Sequence, residues 1–208
     1  SFKIKKDALT HTNLSAQDFM KKFKQAITIA TIDPDRAMTH NKGLMNGVDA
    51  VLLATGQDYR AMNAAIHAYA SKSGSYSSLS YIKEDPDHLI FCTTLPYSLG
   101  VVGGITGVHP TVKTNLAILE KDCSVETLAM VMAATGLAQN FAAVSALVSL
   151  GIQKGHMKMH LINILVQIGA NPKESLIIQE FFKGKDISFK KVNELLSKIR
   201  AKTTQNQV

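Results

Sequence analysis

No charged residue occurs between Glu126 and Lys154. A run of that length is either long enough to cross a bilayer or must find burial inside a protein. Gly136, Gln139, Asn140, Ser145, Ser149 and Gly151 interrupt it, which predicts buried helices of a soluble core. Gly136 reads as a break, with one helix starting at the cap Ser124 and a second over Leu137 to Leu150. The alanines at 138, 142, 143 and 146 predict tight helix packing.

The rest of the chain has to supply partners for that run. With 208 residues, 46% of them hydrophobic, it is long enough for one substantial core and a small second lobe. Two cysteines, Cys92 and Cys123, make no disulfide framework and fit a reducing compartment. Lys3, Lys5 and Lys6 are followed by no long apolar run, so no signal peptide is expected and the location expected is cytoplasmic. The start at Ser-Phe-Lys, without methionine, suggests a fragment or a processed or trimmed product. The net charge of +7 favours anionic partners, but much of the excess lies between Lys183 and Lys202, where it reads as the solvated face of a helix. Helix-turn-helix, zinc-finger and aromatic stacking signatures are all missing, which argues against nucleic acid as a partner.

Residues 1 to 12 read as an entry strand or linker. Ser15 is placed to cap a helix carrying Phe19, Phe23, Ala26 and Ile27 at helical spacing. Asp33-Pro34-Asp35 is a turn signal. A helix restarts near Arg36 and runs towards Leu44 or Met45, and Asp49 to Ala54 is a separate apolar run ended by Thr55-Gly56-Gln57. Tyr59 to Ser71 is helical. Ser75 to Lys83 and His88 to Leu95 read as paired strands around Glu84-Asp85-Pro86-Asp87. Leu99 to Gly107 is a glycine-rich loop, and Pro110 starts a helix to Leu119. Three short helical patterns, Met157 to Ile168, Lys173 to Phe182 and Phe189 to Ile199, follow a boundary placed at Gly155.

Chemistry concentrates in three places. Arg36 to Gly43 gathers hydrogen-bonding and charged side chains beside a glycine, and Asn46 lies one turn after Lys42. A lysine there suits a developing oxyanion, and an arginine suits a carboxylate; surface solvation is the simpler account. Asp58 either pairs with Lys42 or caps the helix that begins at Tyr59. His156, at the expected boundary, has the side chain to protonate a leaving thiolate near neutral pH, or else packs on the following helix. His156 and His160 are one turn apart, but no third ligand accompanies them, so no metal is expected. The loop Leu99 to Thr106 matches neither dinucleotide nor Walker spacing.

Taken in order and spacing, these segments resemble class II (bacterial-type) 3-hydroxy-3-methylglutaryl-CoA (HMG-CoA) reductase. The likeness is carried by Asp33 to Ala37, Thr39 to Asn46, Ala54 to Asp58, His67 to Ala70, Val102 to Thr106, His109-Pro110, Gly136 to Asn140 and Gly151 to Met157. It implies an α+β fold, with residues 1–154 as the later part of the substrate-binding domain and 155–208 as a helical flap. It also implies two successive hydride transfers from NAD or NADP, taking HMG-CoA to mevalonate and coenzyme A. By resemblance Lys42 stabilises the oxyanion, Asp58 orients and tunes it, and His156 protonates the thiolate. Arg36 holds the substrate carboxylate, Asn46 binds substrate, and Gln139 and Asn140 fall in a segment near the bound ligands. Two family features have no counterpart here: a glutamate from the amino-terminal half and the inserted cofactor domain. Leu161-Ile162-Asn163 also departs from a pattern that usually has arginine before the asparagine, and Met159 and Ile105 depart mildly. The chain alone is therefore expected to be inactive without a partner polypeptide carrying the first half, in a homo-oligomer built on dimers. A non-catalytic acyl-CoA-binding or assembly subunit is the alternative.

Overall fold

The computed structural model describes residues 1–9, 14–83, 85–120, 123–149, 152–185 and 187–205, with the side chains of 152–159 and 202–205 outside the description. It divides into two compact units, Ser1–Ser149 and Leu150–Val208.

The first unit is mixed. Strand β1 (Phe2–Lys5) and a 3-10 turn lead to helix α1 (Ala16–Ile32). Ser15 caps α1 by accepting from the Asp18 N–H. Phe19, Phe23, Ala26 and Ile27 turn inward, as their spacing requires. Strands β2 (Ser80–Lys83) and β3 (His88–Thr93) form an antiparallel hairpin, with β1 on the other side of β3. Phe2 lies opposite Phe91 in register. Their rings meet Phe23 and Phe141 in a cluster with centroids 5.3–5.7 Å apart. In the hairpin turn the Asp85 carboxylate takes the Lys3 ammonium at 3.0 Å and the His88 ring at 2.9 Å. These two contacts, Lys3 first, hold its carboxyl well below the usual range.

Helix α2 (Pro34–Ala54) is one helix of 21 residues. The expected stop near Met45 is absent: Gly43 and Gly47 lie inside it, and the apolar run from Asp49 to Ala54 is its last turns. Helix α3 (Tyr59–Ala70) follows a tight corner at Gly56, whose φ is +67°. The glycine-rich loop contains a one-turn helix, α4 (Gly104–Val108), and Pro110 opens α5 (Pro110–Leu119) as expected.

Helix α6 (Val125–Val148) is likewise continuous through Gly136, capped by Ser124. Its glycine is a contact, not a break. A Cβ on Gly47 would sit 2.6 Å from the Thr135 carbonyl oxygen and 3.0 Å from Gly136 Cα, and one on Gly136 would sit 2.7 Å from Val48 Cγ2. The backbones of α2 and α6 therefore cross in direct contact, which only glycine permits. α6 is long and apolar enough to cross a membrane. Its inward face carries Leu128, Met132, Leu137, Asn140 and Val144 against this core. Its outward face leaves Met130, Ala138, Ala142 and Ala146 exposed, so of the four alanines expected in tight packing these three face outward.

The second unit comprises α7 (Ile152–Gln167), α8 (Pro172–Phe181) and α9 (Phe189–Gln205). Leu161, Ile164, Leu165, Ile178, Phe182, Val192 and Leu196 form its core. Gly155 lies inside α7. The division between units falls before that helix, not at the glycine.

Candidate active site

Helix α2 carries most of the candidate side chains, and its start is set by Asp33. That carboxylate accepts from the Asp35 N–H at 3.0 Å and the Arg36 N–H at 3.4 Å, with Pro34 in the first turn. From this start Arg36, Lys42 and Asn46 fall within roughly 120° of arc on the solvent side of the helix. Lys42 and Asn46 are exposed and Arg36 is half-buried. The Arg36 guanidinium donates to Thr39 Oγ1 at 2.7 Å. Burial pulls its pKa down, against the opposing pull of Asp33.

Asp58 caps α3. Its Oδ1 accepts from the Arg60 and Ala61 N–H groups, both at 3.1 Å. Among the described residues no hydrogen bond or ion pair joins Asp58 to Lys42; the only ion-pair partner of Asp58 is Arg60, at 3.9 Å. The cap uses one carboxylate oxygen. Oδ2 makes no hydrogen bond among the described residues, and the side chain is 62% exposed. Of the two expectations for Asp58, cap or lysine partner, the structure shows the cap. The corner that holds it is braced by Gln57, whose amide donates to the Gly100 carbonyl at 2.7 Å and accepts from the Gly100 N–H at 2.9 Å. Asn63 of α3 donates to Asp49 of α2 at 2.7 Å.

Beneath Lys42 lies a polar network absent from the sequence reading. His40 is 2% exposed, and its Nε2 lies 2.6 Å from Ser80 Oγ. Ser80 Oγ donates to Asn140 Oδ1 at 2.7 Å, and Asn140 Nδ2 donates to the His40 carbonyl at 2.9 Å. The last bond fixes the amide's orientation, so Ser80 spends its one hydroxyl proton on Asn140. His40 must then donate from Nε2, which leaves Nδ1 as the bare nitrogen. Among the described residues that atom is buried without a partner. Protonating it would place a cation in the core with nothing to accept its hydrogen bond. Burial, reinforced by the nearby Arg36 charge, lowers the His40 pKa to about 4.

This network corrects one expectation. Asn140 is fully buried, with both amide atoms committed, so it reaches no ligand-facing surface. Its neighbour Gln139 is exposed. His156 lies in α7, in the second unit, and its side chain is outside the described residues.

A match to the hydroxymethylglutaryl-coenzyme A reductase family spans residues 1–161. The chain belongs to that family. Every candidate residue from Arg36 to His156 lies within the matched span. It is 37% identical to the 3-hydroxy-3-methylglutaryl-coenzyme A reductase of Archaeoglobus fulgidus over 90% of this chain and 43% of that one. It is 38% identical to a probable reductase of Borreliella burgdorferi over 70% of this chain and 33% of that one. Among solved structures, the reductase of Streptococcus pneumoniae superposes with a TM-score of 0.69 at 36% identity, covering 95% of this chain and 47% of that chain. The class II reductase from the same organism bound to NADPH in open conformations gives 0.67 at 37% identity, covering 95% and 48%. The chain therefore spans less than half the length of each of these reductases, and its α+β architecture matches that part of theirs.

Proposed function

We propose that this chain is the carboxy-terminal portion of a class II HMG-CoA reductase and supplies the thioester-facing half of its active site. What supports the reading is the solvent face of α2, which presents Arg36, Lys42 and Asn46 together, with Asp58 Oδ2 unengaged among the described residues at the start of α3. In this role Lys42 donates to the oxygen that gains negative charge as the thioester carbonyl is attacked. Arg36 grips the terminal carboxylate of the substrate as a guanidinium fork. Asn46 and Gln139 hold polar groups of the substrate. Asp58 keeps one oxygen on its helix cap and offers the other to Lys42. His156, from the flap, protonates the coenzyme A thiolate as it leaves.

A nicotinamide cofactor, NAD or NADP, supplies the hydrides. The residues present do not fit its phosphates: the loop Leu99 to Gly107 lacks dinucleotide spacing, and its Gly100 is already held by both ends of the Gln57 amide. Cofactor binding is assigned to the part of the reductase length that this chain does not span. The same part must cover Lys42, because an ammonium open to water stabilises an oxyanion weakly. A dimer-based homo-oligomer, or a partner polypeptide, provides that cover.

The test mixes this chain with a polypeptide bearing the amino-terminal half of a relative and follows nicotinamide oxidation with HMG-CoA. Turnover is expected, and Lys42→Ala is expected to lower kcat by roughly 10²-fold or more without unfolding the chain, since Lys42 is exposed. A mixture that binds coenzyme A but turns nothing over sinks the enzyme reading in favour of an acyl-CoA-binding subunit.

A further inference from the structure

The backbone of Lys42 is anchored through the residues on both of its sides, although its side chain is open to solvent. His40 is bonded to Ser80 and, through its carbonyl, to Asn140 of α6. Asn41 donates to the Ser77 carbonyl at 2.9 Å and accepts from the Leu79 N–H at 3.0 Å. Gly43, the next residue, faces α6 so closely that a Cβ there would lie 3.1 Å from Ala143 Cβ and 3.4 Å from Asn140 Nδ2. Segment 77–80 is itself held elsewhere. Ser77 Oγ donates to the Thr31 carbonyl of α1 at 2.9 Å, and Thr93 Oγ1 of β3 donates to the Leu79 carbonyl at 2.8 Å.

We propose that segment 77–80 and Asn140 form a buried clamp that positions Lys42, with His40, Asn41, Ser80 and Asn140 as positioning residues. The inference rests on the reductase reading above and goes beyond it, since none of the four touches substrate. A lysine has four side-chain torsions, and its tip is placed no better than its Cα allows. Here the Cα is fixed by four hydrogen bonds to His40 and Asn41 and by a glycine contact, all within two residues of it. Displacing a catalytic group by about 1 Å is enough to cost on the order of 10²-fold in rate. The clamp therefore acts on the chemical step, beyond its contribution to folding.

Two measurements test it. In the assembly that turns over, Ser80→Ala leaves His40 Nε2–H and Asn140 Oδ1 facing an empty place. It is expected to lower kcat about tenfold with KM within about twofold. His40→Gln keeps an N–H at the Nε2 position and is expected to retain most of the rate that His40→Leu loses. Folded variants with wild-type kcat, whatever their melting temperature, overturn the clamp while leaving the reductase reading intact. In the chain alone, the Asn41 to Leu44 backbone amides are expected to exchange hydrogen about tenfold faster in Ser80→Ala, with α3 unchanged. If the wild-type assembly is silent, the reductase reading fails, and equal exchange rates in the chain then refute the clamp separately.

Discussion

The two units hold themselves together by different means. Where α2 crosses α6, the first unit relies on backbone contact through Gly47 and Gly136 and on a buried His–Ser–Asn network. The second unit relies on leucine, isoleucine and phenylalanine packing, with a charge pair in which the Arg200 guanidinium grips both oxygens of Glu174 at 2.8 and 3.0 Å. Crossings built on touching backbones tolerate no added atom, whereas aliphatic cores rearrange around changes of volume. The difference teaches where precision is invested: the rigid crossing lies under the helix that presents Lys42, and the forgiving packing lies in the lobe of α7 to α9.

The harshest way to break this contrast is to add one methyl group at the crossing. Gly47→Ala drives a Cβ to 2.6 Å from the Thr135 carbonyl oxygen, which belongs to backbone and cannot swing aside. The expected loss is at or beyond the upper end of the roughly 1–3 kcal/mol typical of overpacked cores. Gly136→Ala meets the Val48 side chain at 2.7 Å and backbone no nearer than the Leu44 carbonyl oxygen at 3.2 Å, and should cost less. Urea unfolding of the two variants checks the order. Equal and small losses would show that the helices move apart freely.

Acid separates the units more gently. The folded His40 pKa, about 4, lies below its unfolded value near 6.5. The unfolded chain therefore binds the extra proton across that interval, and stability falls as pH falls. The contribution is complete above about pH 6.5 and shrinks by roughly 2 kcal/mol by about pH 5. In the second unit, the hydrogen bonds from Arg200 and then the Asn171 N–H hold the Glu174 carboxyl at about 2. Its contribution is intact above about 4.5, the unfolded value, and is lost only as pH falls towards 2. Amide exchange followed along the chain between about pH 6.5 and pH 5 should show α2 loosening while α8 holds. Removing the titrating group with His40→Leu should flatten the first response. An unchanged slope in that variant would show that another group carries it.

What was legible in the sequence follows the range of the interactions involved. Ser15, Ser124 and Pro110 mark helix starts correctly because a cap is settled within three or four residues. Hairpin β2–β3 is equally local. Gly136 misled, because the same residue that stops one helix lets two others touch. Only the partner's position distinguishes the cases. The His40 network joins residues 40 and 60 positions apart in the chain, so no window of sequence contains it. Asp58 was legible as a pair of alternatives, of which the local one, the cap, is what the structure shows. Lys42, Arg36 and Asn46 became candidates because their types recur in a known order, and helical spacing alone places them on one face.

The mildest prediction sharpens the contrast from the side of the lobe. Asn171 caps α8 in a reciprocal box: its side chain accepts from the Glu174 N–H, and Glu174 accepts from the Asn171 N–H at 2.8 Å. Asn171→Ala removes one half of that exchange but leaves the Glu174–Arg200 pair in place. The exposed position admits the smaller side chain without a cavity, so the expected loss is about 1 kcal/mol. It should appear as faster exchange of the α8 amides, with those of α2 untouched. A lobe held by aliphatic packing absorbs such a change, whereas the glycine crossing cannot absorb a single methyl. If Asn171→Ala instead unfolds the lobe outright, its packing is as exacting as that of the crossing, and the two units do not differ in the way their contacts imply.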